Sequence, residues 1–427
     1  MKKHYLIGII FIFSFLLTSC STTSINFFQS NQAKPGLFKE TWIKKMNSNP
    51  NSWTQKADYW YLTGEPNRIE RYDQNGPINK VMSVTMVRVP DFTNIQIDGK
   101  FQVQIIGQQE HNSVFITGPN AQTRQVVVEI KNNTLCIHQS KDAKIPTNKI
   151  IIRIGVHNLC KLTSNGPCLI AGRGIASSNL SIESTDGATI MLTGNMNVSQ
   201  IRQTGTGTIT IIGAYTPTLN IYVKGNGNVN VSGRVGVRTI KHAGNGTVNV
   251  IGADSDGLTI NAYGTGKTTV MGYVNLKKVV AGDSCCVFVY WVNSNGTYVS
   301  ETGSAHVGLA GWTKNLNVDI DGTSRFEGRY LHATSAYVTT RINSHANVYP
   351  DQKMFASAMG TSSIYFFGSP NMVSRYTTGQ AVIIPIFEDS TPPMAAMPQR
   401  SFQGPPAWVP PAKPIAYKGD APYRWGK

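Results

Sequence analysis

The chain has 427 residues, of which 41% are apolar, 40 are Gly and 21 are Pro; Lys and Arg outnumber Asp and Glu by 39 to 23, a formal charge of +16. That apolar fraction is enough for a core, and the basic excess points toward anionic partners. After the first twenty residues no run reaches eighteen apolar residues, and no cysteine spacing matches a zinc site, which excludes a later membrane-spanning helix and a zinc module.

Residues 1–19 read as a targeting signal. Lys2 and Lys3 supply the positive end, Leu6 to Leu17 is nearly all apolar, and Leu17-Thr18-Ser19-Cys20 follows. These four residues resemble the lipobox of bacterial lipoproteins. The resemblance implies cleavage before Cys20, lipid on its thiol (palmitate among the acyl chains) and an acylated amino terminus. Ser21 follows rather than Asp, which in Gram-negative families implies passage to the outer membrane. The alternative is an ordinary signal peptide with a chance cysteine. Loss of Lys2 and Lys3 with the signal would lower the charge from +16 to +14. Several acyl chains anchor firmly where one alone is marginal.

Residues 20–34 are rich in Ser, Thr, Asn and Gln and read as a tether. Residues 35–85 differ, with Trp42, Trp53, Tyr59, Trp60 and Tyr61 close together. Leu37, Phe38, Trp42, Ile43 and Met46 could share one face of a short helix, with Lys39, Lys44 and Lys45 outside. This region is either a cap over the first coil of a repeat or a docking surface near the membrane.

From Met86 a β pattern begins: Phe92 to Gly107 alternates, Val126 to Ile130 and Leu135 to Ile137 flank the turn at Lys131-Asn132-Asn133, and Lys149 to Ile154 forms a further strand. Between Gly166 and Gly368 one phrase recurs: a Gly turn, a short alternating strand, then usually Gly. The clear copies are 205–213, 225–233, 244–252 and 264–272, whose closing glycines step by 20, 19 and 20 residues. Gly194, Gly233, Gly272 and Gly311 lie 39 residues apart. A fixed period of this length signals a solenoid, each coil burying its apolar face only against its neighbours.

Ile209, Val229, Val248 and Thr268 fall at one repeat position, and Ile211, Val231, Val250 and Val270 at another, while Thr210, Asn230, Asn249 and Thr269 point outward. A second strand per coil appears at 180–182, 219–221, 258–260 and 316–318. Coils of about twenty residues are too short for strand–helix–strand units and suit stacked parallel strands. Ten such coils at roughly 4.8 Å per strand would span about 50 Å. A Gly-rich antiparallel barrel or sandwich is the rival, but hairpins need no constant period. Asp283 to Trp291 keeps the spacing and replaces the closing glycine with Trp291. Later copies are weaker until 360–368 restores the phrase.

The order of opening strand, hairpin, further strand and short Gly-x-Gly-x-Val-x-Val-x-Gly repeats resembles the head GIN domain family, the autotransporter adhesin heads, over roughly 86–370. The resemblance implies an exported, envelope-associated β-solenoid and brings no catalytic residues with it. The expected class is therefore all-β: a parallel β-helix or β-solenoid of about 20 residues per coil over 86–370, with a small N-terminal cap region and a Pro-rich C-terminal tail. That tail, 371–427, carries Phe402, Trp408, Tyr417, Tyr423 and Trp425 among its prolines; it either wraps the solenoid, docks into a partner groove or is disordered.

With Cys20 lipidated, five cysteines remain. Cys160 and Cys168 could pair across a turn. Cys285 and Cys286 point to opposite faces, one to the core and the other outward or toward Cys136. No cofactor or metal is expected. Polysaccharide lyases and hydrolases occur on β-helices, but their sites need converging carboxylates. Here Glu183, Asp186, Asp254, Asp256, Asp283, Glu301, Asp319, Asp321 and Glu327 are scattered, so a non-enzymatic role is expected. Arg202 and Lys241 lie 39 apart, as do Arg238 and Lys277, with Lys278 alongside. They should stack at the solenoid rim as a basic edge for lipopolysaccharide phosphates or peptidoglycan carboxylates; an alternative is that they serve solubility alone. Nucleic acid is not expected in that compartment.

Three functions follow in order: a lipid-anchored outer-membrane binding or scaffolding rod, a subunit of a large envelope assembly such as a secretion complex, and a carbohydrate-active enzyme. In the second, the N-terminal aromatic region and the C-terminal tail are the docking arms toward protein partners.

Overall fold

A computed structural model describes residues 70–73, 82–141 and 150–387. The signal, Cys20, the tether, most of the N-terminal aromatic region and the tail from 388 onward lie outside the described residues.

Alternation at period two gives each strand one buried and one outward face, and the chain winds so that these faces stack. Strands β10 (Leu169–Thr185), β11 (Thr189–Gly205), β12 (Thr208–Gly225), β13 (Asn228–Gly244), β14 (Thr247–Gly264), β15 (Lys267–Ala281), β16 (Cys286–Glu301), β17 (His306–Ile320), β18 (Arg325–Thr340) and β19 (His345–Gly360) follow in order. Each is one coil and pairs in parallel with the next. Each strand is interrupted by register shifts, two in β11 and three in each of β12 and β14. Its first stretch belongs to one sheet and its last to another, and a short paired stretch between them, Ala214 to Thr216 in β12, adds a narrower third side around the core.

Like residues stack as the period requires. In the first sheet Ile170, Ile190, Ile209, Val229, Val248, Thr268, Val287, Val307, Phe326, Ala346, Ile364 and Ile383 form one register column. In the second, Ile182, Ile201, Ile221, Ile240, Ile260, Val279, Val299, Val318, Val338 and Ala356 form another. The side chains of both columns are buried. Burial of each Val or Ile contributes roughly 1.5–3 kcal/mol, so the stacked columns dominate cohesion between coils. Thr268 is the polar member of the first column, and its hydroxyl meets Nδ1 of the buried His242 at 3.0 Å.

The 39-residue period has a local origin. From Ile182 to Ile190, Ile201 to Ile209 and Ile221 to Val229 the chain always takes eight residues. At the other corner it alternates: nine residues from Leu192 to Ile201, ten from Ile211 to Ile221, nine from Val231 to Ile240, ten from Val250 to Ile260. The corner glycines alternate in step. Gly194, Gly233, Gly272 and Gly311 have φ of 148, 145, 142 and 133°, whereas Gly213 and Gly252 have 84 and 81°. The first class is open only to glycine; the second borders the left-handed helical region, though a Cβ on Gly213 or Gly252 would still stand 2.5 or 2.0 Å from the carbonyl oxygen of Gly194 or Gly233. Trp291 replaces glycine at a corner of the second class, with φ of 63°.

The N-terminal end departs from the parallel winding. Strands β4 (Gln102–Ile106) and β9 (Lys161–Asn165) extend the first and second sheets in parallel from β10, joined by β8 (Ile151–Gly155) and by β3 (Asn94–Asp98) with β7 (Thr134–Gln139). Antiparallel strands lie beyond them: β5 (Ser113–Pro119), β2 (Met82–Arg88) and β1 (Glu70–Asp73) in the first sheet, β6 (Val126–Lys131) in the second. A short helix, α1 (Asn120–Thr123), joins β5 to β6. At the far end β20 (Ser363–Phe367), β21 (Met372–Gly379) and β22 (Val382–Ile386) complete the winding. The last coil thus runs to Ile386, past the expected boundary at 370, because Val382-Ile383-Ile384 alternates without the flanking Gly phrase that marks other coils.

Candidate functional site

The basic residues singled out from the sequence sit on the second sheet. Arg202, Tyr222 and Lys241 occupy one outward column on consecutive coils. Arg202 Cζ lies 5.4 Å and Lys241 Nζ 5.7 Å from the centre of the Tyr222 ring, so the ring is flanked by a cation on each side. The two charges are therefore on the open face of the sheet, spaced by an aromatic, and not at its rim as the 39-residue step suggested. A step of two coils leaves one residue between them.

Lys278 lies one column over and reaches the Tyr298 ring on the next coil at 5.5 Å. Arg238 and Lys277 fall at the corner just before this face, where the register shifts. All five cations are exposed. Farther along, Tyr337 and Phe355 stack at 5.0 Å with rings 3° from parallel. Along the column Arg202, Tyr222 and Lys241 place an aromatic between two cations, with Glu183 before them and Asn261 and Val280 after.

Among the described residues the carboxylates do not converge. Glu183 pairs with Lys161 at 3.4 Å, Asp254 with Arg234 at 2.7 Å, and Asp319 with Arg341. Asp283 and Asp321 accept backbone N–H bonds at turns. Glu301 is fully buried in the interior column that also holds Ser184, Gln203, His242 and Thr340. Among the described residues no three His, Cys, Asp or Glu side chains are placed to hold a metal.

Burial pushes the Glu301 carboxyl well above the usual glutamate range; the Val307 N–H leans toward it without hydrogen-bond geometry. Burial also lowers His242. The small residues opposite this interior column make room for it: a Cβ on Gly227 would stand 2.6 Å from Gln203 Cγ, and one on Gly266 2.4 Å from His242 Cε1.

Cys160 and Cys168 are separate free thiols. The Cys168 Sγ points inward to Ser164 Oγ at 2.7 Å, and Cys160 receives the Asn158 amide at 3.6 Å, so the two sulfurs serve different surroundings. Cys285 is buried, its thiol pushed up to about 11 by desolvation, while Cys286 turns outward on the opposite face.

One concavity went unread in the sequence. An open groove of about 780 Å³ lies where the loops after β4 and β8 meet the corners of β10, β11 and β12. Gln108, Asn195 and Tyr215 line it. Its residues are far apart in sequence and share no motif, so only the winding brings them together.

Residues 91–289 and 274–370 match the family described as "Putative auto-transporter adhesin, head GIN domain". The chain belongs to the head GIN domain family. Solved structures with similarity to this head GIN chain include a "putative lipid binding protein" from Parabacteroides distasonis, 14% identical, covering 72% of this chain and 98% of that one with a TM-score of 0.25. A "putative adhesin" from Parabacteroides merdae is 14% identical at the same coverage, TM-score 0.27. Another from Bacteroides fragilis is 16% identical over 72% of this chain and 98% of its own, TM-score 0.23. No curated protein matches the chain.

Proposed function

We propose that this chain is a non-enzymatic, adhesin-like lipoprotein of the bacterial outer membrane, a stiff rod tethered through Cys20 whose second sheet binds anionic envelope polymers. The observation that carries the reading is the alternation of Arg202, Tyr222 and Lys241 on one open sheet face, continued by Lys278 against Tyr298. Exposed cations attract phosphate- or carboxylate-bearing chains over a Debye length, and the rings hold the cations extended. The family description as an adhesin head and the lipobox-like Leu17-Thr18-Ser19-Cys20 support a place at the cell envelope.

The test is cosedimentation of the full chain with peptidoglycan and with lipopolysaccharide micelles across salt concentrations, beside the double variant Arg202→Glu/Lys241→Glu and the anchor variant Cys20→Ala. The charge reversal should weaken binding by roughly 10–100-fold at low salt and flatten its salt dependence. Cys20→Ala should leave polymer binding intact but abolish incorporation of an alkyne-palmitate label. Equal binding by the charge-reversal variant would refute the basic face as the site, and a labelled Cys20→Ala would refute the anchor.

A further inference from the structure

The groove beside the N-terminal coils has a lining unlike the basic face. Gln108, Gln109, Asn158, Asn195 and Asn197 bring five side-chain amides to it, and Tyr215, 50% exposed, stands at its edge. Each amide presents a donor and an acceptor a few ångströms apart. Some of this capacity is already directed: the Asn197 amide nitrogen donates to the Ser178 carbonyl at 2.7 Å, and the Gln109 amide nitrogen to the Gly107 carbonyl at 3.2 Å, leaving both side-chain oxygens as fixed acceptors. The amides of Gln108 and Asn195 are exposed and make no hydrogen bond to the described residues.

Gln108 is also held at φ of 57°, a left-handed conformation that glutamine enters at a cost. The backbone beneath it is locked: a Cβ on Gly107 would lie 2.2 Å from the Gly174 carbonyl oxygen, so the turn sits directly on β10. His157 Nδ1 meets the Gln109 carbonyl at 3.0 Å and ties the two loops of the groove together. The amides are thus placed on a braced floor.

We propose that this groove is a binding site for a neutral glycan. The charge and polarity of the lining select the class. A phosphate or carboxylate would call for cations, and among the described residues the lining carries Glu110 and no Lys or Arg. Paired donors and acceptors match adjacent hydroxyls of a sugar ring, and an exposed tyrosine at the edge offers its face to the C–H side of that ring. The groove volume of about 780 Å³ lies within the roughly 300–1,000 Å³ range of small-ligand sites, and its open form suits a segment of a chain.

The test uses the full chain on an array of neutral oligosaccharides: cello-, malto-, manno- and N-acetylglucosamine hexamers, followed by titration calorimetry with the best binder. The wild type should bind at least one probe. Tyr215→Ala and Asn195→Ala should each weaken that binding roughly tenfold, the effect of losing one stacking or hydrogen-bonding partner. Both positions are exposed, and unchanged melting of the variants will show that the coils remain wound. Arg202→Glu/Lys241→Glu should bind the same probe as the wild type, which separates this site from the basic face. Failure of the wild type to bind any of the four, or binding untouched by both groove substitutions, overturns the proposal. Either result leaves polymer binding on the second sheet standing.

Discussion

Glu301 is the residue at which burial and chemistry are most at odds. It sits in an interior column whose other members are mostly small, apolar or neutral, and neither carboxylate oxygen has a hydrogen-bond partner. Unfolded, it ionises near the ordinary glutamate value of about 4.3. Folded, burial keeps it neutral well above that. The folded state is therefore fully supported below the unfolded value and loses stability as pH rises from there toward the folded value, because only the unfolded chain gains the ionised form. Glu301→Gln keeps the shape and removes the titration. It should raise the melting temperature by roughly 2–4 °C at pH 7 and change it little at pH 4. Scanning calorimetry at the two pH values checks this; equal effects at both would show that ionisation plays no part. His242 answers the same interior differently, staying neutral against Thr268, which explains the lone hydroxyl in a column of Ile and Val. The sequence pattern exposed Thr268 as an exception but not its partner, because the two lie on different sheets, 26 residues apart.

At the scale of the coil, the two corner classes make different demands. Gly311 has φ of 133°, and a Cβ there would stand 2.2 Å from the Val292 carbonyl oxygen, a backbone atom that cannot move alone. Gly311→Ala should cost about 2–4 kcal/mol, the sum of forbidden backbone and steric clash. Trp291, at φ of 63° and 51% exposed, holds the equivalent corner one coil earlier. Trp291→Gly relieves a left-handed strain of about 1 kcal/mol and loses partial ring burial, so its net effect should stay within about 1 kcal/mol of zero. Urea melting of both variants tests the contrast, and a Trp291→Gly as damaging as Gly311→Ala would erase the distinction between corners. The period and the alternating strands were legible because each is written in consecutive residues: Val229-Asn230-Val231 announces its two faces without help. Which corner could take a left-handed side chain was not legible, since Gly252 and Gly272 look alike in sequence, differ in φ, 81 against 142°, and would each bring a Cβ within 2.2 Å of a backbone oxygen. Charge columns were half legible. The 39-residue step placed Arg202 and Lys241 in register but hid Tyr222 between them. The amide-lined groove was hidden altogether, because its walls come from loops that no repeat unit contains.

Within the solenoid each coil leans only on its two neighbours, so stability should vary along its coils. The middle coils β13 to β15 are paired on both sides. Strand β21 pairs with β19 on one side and is exposed at all eight positions, with Tyr376 60% exposed and Phe387 beyond it 81%. Native-state hydrogen exchange should find amides of 372–386 opening at least about 3 kcal/mol more easily than those of 228–281. Uniform protection from end to end would mean that the rod melts as one cooperative block.

The alternation of nine- and ten-residue corners has a consequence for the history of such a chain. A stack built this way counts by twos. Excising or duplicating a single winding in its middle would set two corners of one kind against each other and oblige one to re-form, whereas gaining or losing a pair would leave the neighbours as they were; the step from ten residues to eight between Gly328–Val338 and Val348–Ala356 is confined to the last coils. Natural length variants of this rod should therefore differ by multiples of 39 residues, and shortened versions made by design should respect the same parity.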